Sequence, residues 1–123
     1  MKIRINGNSV RYRLTKTEVE TFCKTGVYQE TTHFLDQTFV YELKADKNID
    51  ALQANFVGGA ITLYLPAEEL NVWATSDKVG YKNIIQAGNG EELSLLLEKD
   101  FVCLDEVEED QSDNYPNPAA LKK

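Results

Sequence analysis

The sequence has little cysteine, a single histidine and no long apolar run. Its cysteines, Cys23 and Cys103, stand too far apart for a zinc-binding or redox motif, and His33 has no second histidine to form a metal-binding pair. No stretch approaches the roughly 18 apolar residues of a membrane span. The alternating start, MKIRING, lacks the apolar core of a secretory signal. These absences predict a cytoplasmic protein with reduced thiols, no membrane association, no metal and no cofactor.

The sequence also lacks the residue patterns on which catalysis usually depends. It contains no recognisable nucleophile–base pair, and the glycine-rich GNG at 88–90 precedes no helix, so it indicates a hairpin loop instead of a phosphate site. We therefore predict no catalytic residue and favour a non-catalytic protein. The alternative is an enzyme that uses dispersed carboxylates, especially those of the C-terminal tail.

The composition predicts one packed domain that spans residues 1–123. Apolar residues make up 42% of the 123 residues, which is enough for one core and hardly enough for two. The segment 104–123 differs from the rest because acidic residues dominate its first half. We interpret it as an acidic C-terminal tail of the same domain.

Apolar periodicity divides the chain into two similar series of elements, offset by 51 positions. The first comprises strands at 2–6, 9–14, 27–34 and 37–44 with a helix at 16–24, and the second comprises strands at 52–57, 60–65, 79–86 and 92–98 with a helix at 67–75. In this alignment Phe22 falls on Trp73. The pattern predicts an α+β fold with about eight strands in a mainly antiparallel or barrel-like sheet. Two short helices complete a tandem ββαββ pseudo-repeat with halves 2–44 and 53–98.

Turn and cap residues support these boundaries. Gly7-Asn8 and Gly58-Gly59 are typical of two-residue hairpin loops, because glycine reaches positive φ without a steric penalty. Thr15 and Glu18 have the spacing of a capping box, and Gly26 is a natural helix stop.

Charge is unevenly distributed along the chain. The formal net charge is −7, which argues against nucleic acid as a partner. Residues 1–16 nevertheless hold five basic residues and no acid, whereas residues 98–113 hold eight acids and one lysine. Such asymmetry serves either an external partner or contact between the two ends.

The basic residues of the first hairpin are the best candidates for a binding site. Alternation puts four of them on one face: Lys2, Arg4, Arg11 and Arg13. If Gly7-Asn8 is the loop, Arg4 faces Arg11 and Lys2 faces Arg13, and like charges in direct opposition are destabilising. The matching positions of the second half are uncharged: Gln53, Asn55, Thr62 and Tyr64. We therefore expect an anion to cover the basic residues, the alternative being an ordinary solvated face.

The composition of the tail predicts that it packs across that hairpin as a clasp. Phe101 and Tyr115 are its predicted apolar anchors, and Pro116 and Pro118 stiffen its end. Between the anchors lie the acids that we expect across the basic residues: Asp105, Glu106, Asp110 and Asp113. A disordered tail and a metal loop are the alternatives, although DQSDN lacks the glycine and the final glutamate of a calcium loop.

Two stretches of sequence resemble known families. GNSVRYRLTKTEVE (7–20) resembles the start of the swapped-hairpin DNA-binding domains of bacterial transition-state regulators and antitoxins. That resemblance implies a dimer whose basic hairpins contact DNA. GNSVRYRLTKTEVE together with EKDFVCLD and SDNYPNP resembles a small bacterial family of uncharacterised single-domain proteins. This second resemblance implies a standalone domain that includes the tail.

Three functional hypotheses follow from these observations. The first is a small cytosolic binding or interaction module whose partner is an unknown protein or a small anionic ligand. The second is a DNA-binding, antitoxin-like regulator that uses the basic hairpin. The third is an enzyme that uses tail carboxylates. The sequence leaves the oligomeric state open.

Overall fold

The computed structural model describes residues 1–101, 113 and 115. Their elements, in chain order, are β1 (Lys2–Ile5), β2 (Ser9–Leu14), α1 (Lys16–Thr25), β3 (Val27–His33), β4 (Thr38–Asp46), β5 (Gln53–Val57), β6 (Ala60–Pro66), a 3-10 helix (Ala67–Asn71), β7 (Gly80–Gln86), a 3-10 helix (Gly88–Gly90) and β8 (Glu92–Lys99). The strand ends lie within two residues of the predicted ones. The α+β class is confirmed. No helix among these residues is long and apolar enough to cross a membrane.

The strands form two mixed sheets of four, so the predicted single sheet or barrel with two helices is wrong. The first sheet has the order β1-β2-β8-β7 and the second has the order β3-β4-β6-β5. Each consists of two antiparallel hairpins joined by a parallel pair, β2 with β8 or β4 with β6. Every hairpin therefore pairs with a hairpin from the other half of the chain. Alternation tells which face of a strand is buried, but it does not identify the neighbouring strand.

Helix α1 begins and ends where its capping residues predict. The Thr15 side chain accepts a hydrogen bond from the Glu18 amide, and the Glu18 side chain accepts one from the Thr15 amide, so the capping box is confirmed. At the other end Gly26 has a φ of 82° and donates its amide to the Phe22 carbonyl at 2.7 Å. Only glycine adopts this left-handed conformation without a penalty, and it ends the helix.

The prediction of a second helix at 67–75 is wrong. Only the 3-10 helix Ala67–Asn71 forms there, and Pro66 in front of it offers no side-chain cap. Val72 and Trp73 both donate to the Glu69 carbonyl, at 3.2 and 3.0 Å, and the regular pattern then stops. Without a cap, and with a β-branched and an aromatic residue in the next turn, helix propensity is weak. Packing of Trp73 into the core decides the local path instead.

One hydrophobic core joins the two sheets and α1. The Tyr12 hydroxyl, from the first sheet, donates to the Ile61 carbonyl of the second sheet at 2.9 Å. Phe22 of α1 meets Trp73 edge to face, with ring centroids 6.4 Å apart, and both side chains are fully buried. Because burying one large apolar side chain contributes about 1.5–3 kcal/mol, these contacts hold the outer surface of the first sheet in place.

Candidate functional site

The first sheet turns five cationic side chains to its outer surface. The apolar residues of β2 are buried, so Arg11 and Arg13 between them point outward. Residues opposite one another in register share a face, which adds Lys2 and Arg4 from β1 and, through Leu96 of β8, Lys82 from β7. We define the cationic face as Lys2, Arg4, Arg11, Arg13 and Lys82.

The predicted register of the first hairpin is confirmed. Ile5 pairs with Val10, Arg4 with Arg11 and Lys2 with Arg13. The loop closes through a 3.0 Å hydrogen bond from the Asn6 amide to the Ser9 carbonyl. Two pairs of like charges therefore oppose one another across β1 and β2, an arrangement that costs stability unless anions compensate for it.

Two carboxylates at the end of β8 compensate for part of this charge. Arg11 Nε donates to Glu98 Oε1 at 2.7 Å. Asp100 lies 3.2 Å from Lys2 Nζ and 3.7 Å from Arg13 Nη1. The contact with Lys2 is an ion pair and not a well-aligned hydrogen bond, because Asp100 Oδ2 has no hydrogen-bond partner within the described chain. These carboxylates neutralise three of the five cations.

Asp100 is a structural carboxylate as well as a counter-ion. Its exposed fraction is only 3%, and a buried carboxylate is costly unless charges and hydrogen bonds surround it. Its amide donates to the Leu14 carbonyl at 2.8 Å, and its own carbonyl accepts from the Tyr115 amide at 2.8 Å. Asp100 therefore ties the end of β2, the basic residues and the tail together.

Arg4 and Lys82 differ from the other members of the cationic face. Both side chains are exposed, and neither forms an ion pair within residues 1–101, 113 and 115. They flank Arg11 on opposite sides, with Leu96 lying between Arg11 and Lys82. Among residues 1–101, 113 and 115, these two positive charges therefore have no counter-ion.

Two open grooves lie along the same surface. One has a volume of about 320 Å³ and is lined by Lys2, Ile3, Arg4, Arg11 and Arg13. The other has a volume of about 620 Å³ and is lined by Lys82, Asn83, Ile84, Ser94 and Leu96. Cationic donors beside apolar side chains suit the binding of an anionic group by charge-assisted hydrogen bonds.

The tail anchors predicted from the sequence lie together. Phe101 and Tyr115 form an isolated parallel bridge, and their ring centroids are 5.8 Å apart. Lys99 Nζ lies 5.0 Å from the Tyr115 ring centroid and donates to the Ser76 carbonyl at 2.8 Å. Burial lowers the pKa of Lys99. Its amine points into the protein and does not belong to the cationic face.

Asp113 corrects one part of the clasp prediction. It lies at the start of α1, where Thr17 Oγ1 donates to Asp113 Oδ1 at 2.7 Å and the Lys16 amide donates to the Asp113 carbonyl at 3.0 Å. Hydrogen bonds from Thr15 and Thr17 lower the pKa of Asp113. A carboxylate is favourable there because the helix N-terminus carries partial positive charge. The other predicted clasp acids, Asp105, Glu106 and Asp110, lie outside the described residues.

Sequence reasoning found the hairpin cations but missed Lys82, Leu96, Glu98 and Asp100 as members of the site. They become neighbours of β2 only because β8 pairs with it in parallel. The available signal for Glu98 and Asp100 was the charge asymmetry between residues 1–16 and 98–113, which did not single out these two acids.

The remaining candidates lie apart from this surface. Cys23 is a free, half-buried thiol, and burial raises its pKa, which keeps it protonated. His33 is exposed at the end of β3 in the second sheet. Within the described residues no group of three or more His, Cys, Asp or Glu side chains is placed to hold a metal ion. Cys103 lies outside those residues.

A model of a family of unknown function (DUF7009) matches residues 1–119. No curated protein and no solved structure matches the chain.

Proposed function

The chain belongs to this family of unknown function, and we propose that it is a non-catalytic binding module whose cationic face receives an anionic ligand. The observation that carries this proposal is the pair Arg4 and Arg11. They oppose one another across β1 and β2, and Glu98 compensates for only one of them. A binding function explains why two like charges stand where they destabilise the isolated protein.

The second sheet supplies an internal comparison. If the two halves are a pseudo-repeat, β5 and β6 correspond to β1 and β2. The pair that corresponds to Arg4 and Arg11 is then Asn55 and Thr62, which are opposite one another in register. Neutral residues support the same hairpin geometry there, so the architecture does not require the arginines. Their charge is better explained by a ligand.

The test is binding of a fluorescent hexaglutamate peptide, measured by anisotropy at several salt concentrations. We expect salt-sensitive binding that Arg4→Gln weakens about three- to fivefold, which is the scale of one exposed ion pair. The matched control is Lys44→Gln, because Lys44 is a half-exposed cation on the second sheet. Equal effects of the two substitutions would show that the peptide responds to overall charge, and the proposal would fail.

A DNA-binding regulator is the second candidate, and the basic hairpin β1–β2, whose sequence resembles swapped-hairpin domains at residues 7–20, is the observation that supports it. Against it stand the net charge of −7 and the two carboxylates beside the arginines. A DNA duplex that binds at physiological salt more tightly than hexaglutamate, and loses binding in Arg4→Gln and Arg11→Gln, would favour this candidate.

A further inference from the structure

The cationic face has an apolar centre. Leu96 of β8 is opposite Arg11 on one side and Lys82 on the other, and it is only half-buried. Ile84, the next outward residue of β7 after Lys82, has an exposed fraction of 59%. A branched apolar side chain with that much exposure, beside the 620 Å³ groove that it helps to line, offers a surface for an apolar group.

The spacing of the charges restricts the ligand. Arg11 and Lys82 lie on strands separated by β8, so their backbones are about 10 Å apart, twice the distance between neighbouring strands. Arg4 adjoins Arg11 on the far side. A complementary ligand thus has two anionic groups roughly 10 Å apart and an apolar group between them.

Nucleic acid fits this surface poorly. A duplex presents one phosphate charge per about 1.7 Å, which calls for a continuous cationic track, but Leu96 interrupts this one and Glu98 adds repulsion. Single strands are usually held by stacking on aromatic side chains. The outward positions of β1, β2, β7 and β8 carry none.

We propose that the ligand is an acidic protein segment with an apolar residue between its carboxylates. The carboxylates contact the Arg4–Arg11 pair and Lys82, and the apolar side chain packs on Leu96 and Ile84. This inference rests on the proposed anion-binding function and names the class of partner. In an extended segment side chains alternate between the two faces, so residues at positions i, i+2 and i+4 share one face and the outer two lie about 13 Å apart. Acidic residues at i and i+4 with an apolar residue at i+2 therefore match the two cationic positions, because the long side chains of Arg11 and Lys82 span the remaining difference.

The experiment uses two fluorescent peptides on the full chain. Each has two glutamates four positions apart, and the residue midway between them is leucine in one peptide and serine in the other. We expect the leucine peptide to bind about fivefold more tightly, since partial burial of one leucine contributes about 1 kcal/mol. Leu96→Ser should abolish most of that difference, whereas Lys82→Gln should weaken both peptides. Ile84→Ser is a second test and should reduce the same difference between the peptides. Because Ile84 is exposed, this variant should fold normally.

The possible failures are distinguishable. Equal binding of the two peptides, unchanged by Leu96→Ser and Ile84→Ser in folded protein, would overturn the acidic–apolar partner. The proposed anion-binding function would survive that result if Arg4→Gln still weakened both peptides relative to Lys44→Gln. Absence of binding to both peptides, hexaglutamate and inorganic phosphate would overturn both proposals. Tighter binding of a DNA duplex than of either peptide would favour the second candidate function, a DNA-binding regulator.

Discussion

If the cationic face binds an anion as proposed, Glu98 competes with that anion for Arg11, so Glu98→Gln is the most informative substitution. Glu98 Oε1 accepts the Arg11 Nε hydrogen bond at 2.7 Å, and the two side chains are 25% and 32% exposed. Glutamine has nearly the same shape and can still accept that hydrogen bond, but it carries no charge. The variant should therefore lose stability and gain affinity for anions.

The two effects have different sizes. Partly exposed ion pairs contribute about 0.2–1 kcal/mol, so the free energy of unfolding should fall by less than about 1 kcal/mol. A ligand carboxylate bound to Arg11 lies near Glu98, and two charges 4 Å apart in water repel by about 1 kcal/mol. Removing this repulsion should strengthen binding of an acidic peptide about three- to fivefold, and less at high salt.

Anisotropy titrations give the affinity, and urea denaturation gives the stability. Glu42→Gln is the matched control, because this substitution makes the same change in net charge. Glu42 also lies in an ion pair, 3.7 Å from Lys44, but on the second sheet. Unchanged or weaker peptide binding in Glu98→Gln would refute the reasoning. Equal gains in both variants would also refute it, since the effect would then come from overall charge.

Three predictions concern the framework of the site. A Cβ on Gly80 would lie 2.0 Å from the Leu97 carbonyl oxygen, so Gly80→Ala should destabilise by about 1–3 kcal/mol in urea denaturation. Gly88→Ala, which meets nothing within 4 Å, should be close to neutral. Trp73→Ala should cost about 3–5 kcal/mol, measured by far-UV circular dichroism because the variant loses the only tryptophan. Asp113→Asn should lower the melting temperature above pH 4, roughly the ordinary carboxyl pKa. The wild-type advantage should vanish as pH falls through the lowered pKa of the folded state; a difference that persists at still lower pH would contradict this.

The sequence predicted the hairpin cations of the candidate site but not the carboxylates that compensate for them. The alternation of Arg4, Arg11 and their neighbours placed four cations on one face, and the glycine loop set their register, because both are local properties of a hairpin. Glu98 and Asp100, which compensate for three of those cations, lie far along the chain. No local pattern brings them to β2.

The sequence by itself determined the local structure. Alternating apolar residues located the strands, Thr15 and Glu18 started α1, and Gly26 ended it, since side-chain periodicity and capping depend on residues a few positions apart. Tertiary structure alone decided the two sheets and the 3-10 turn before Trp73. Which strands pair, and whether an uncapped segment completes a helix, depend on burying apolar surface between distant parts of the chain. The parallel pairing of β2 with β8 is the result that positions the cationic face.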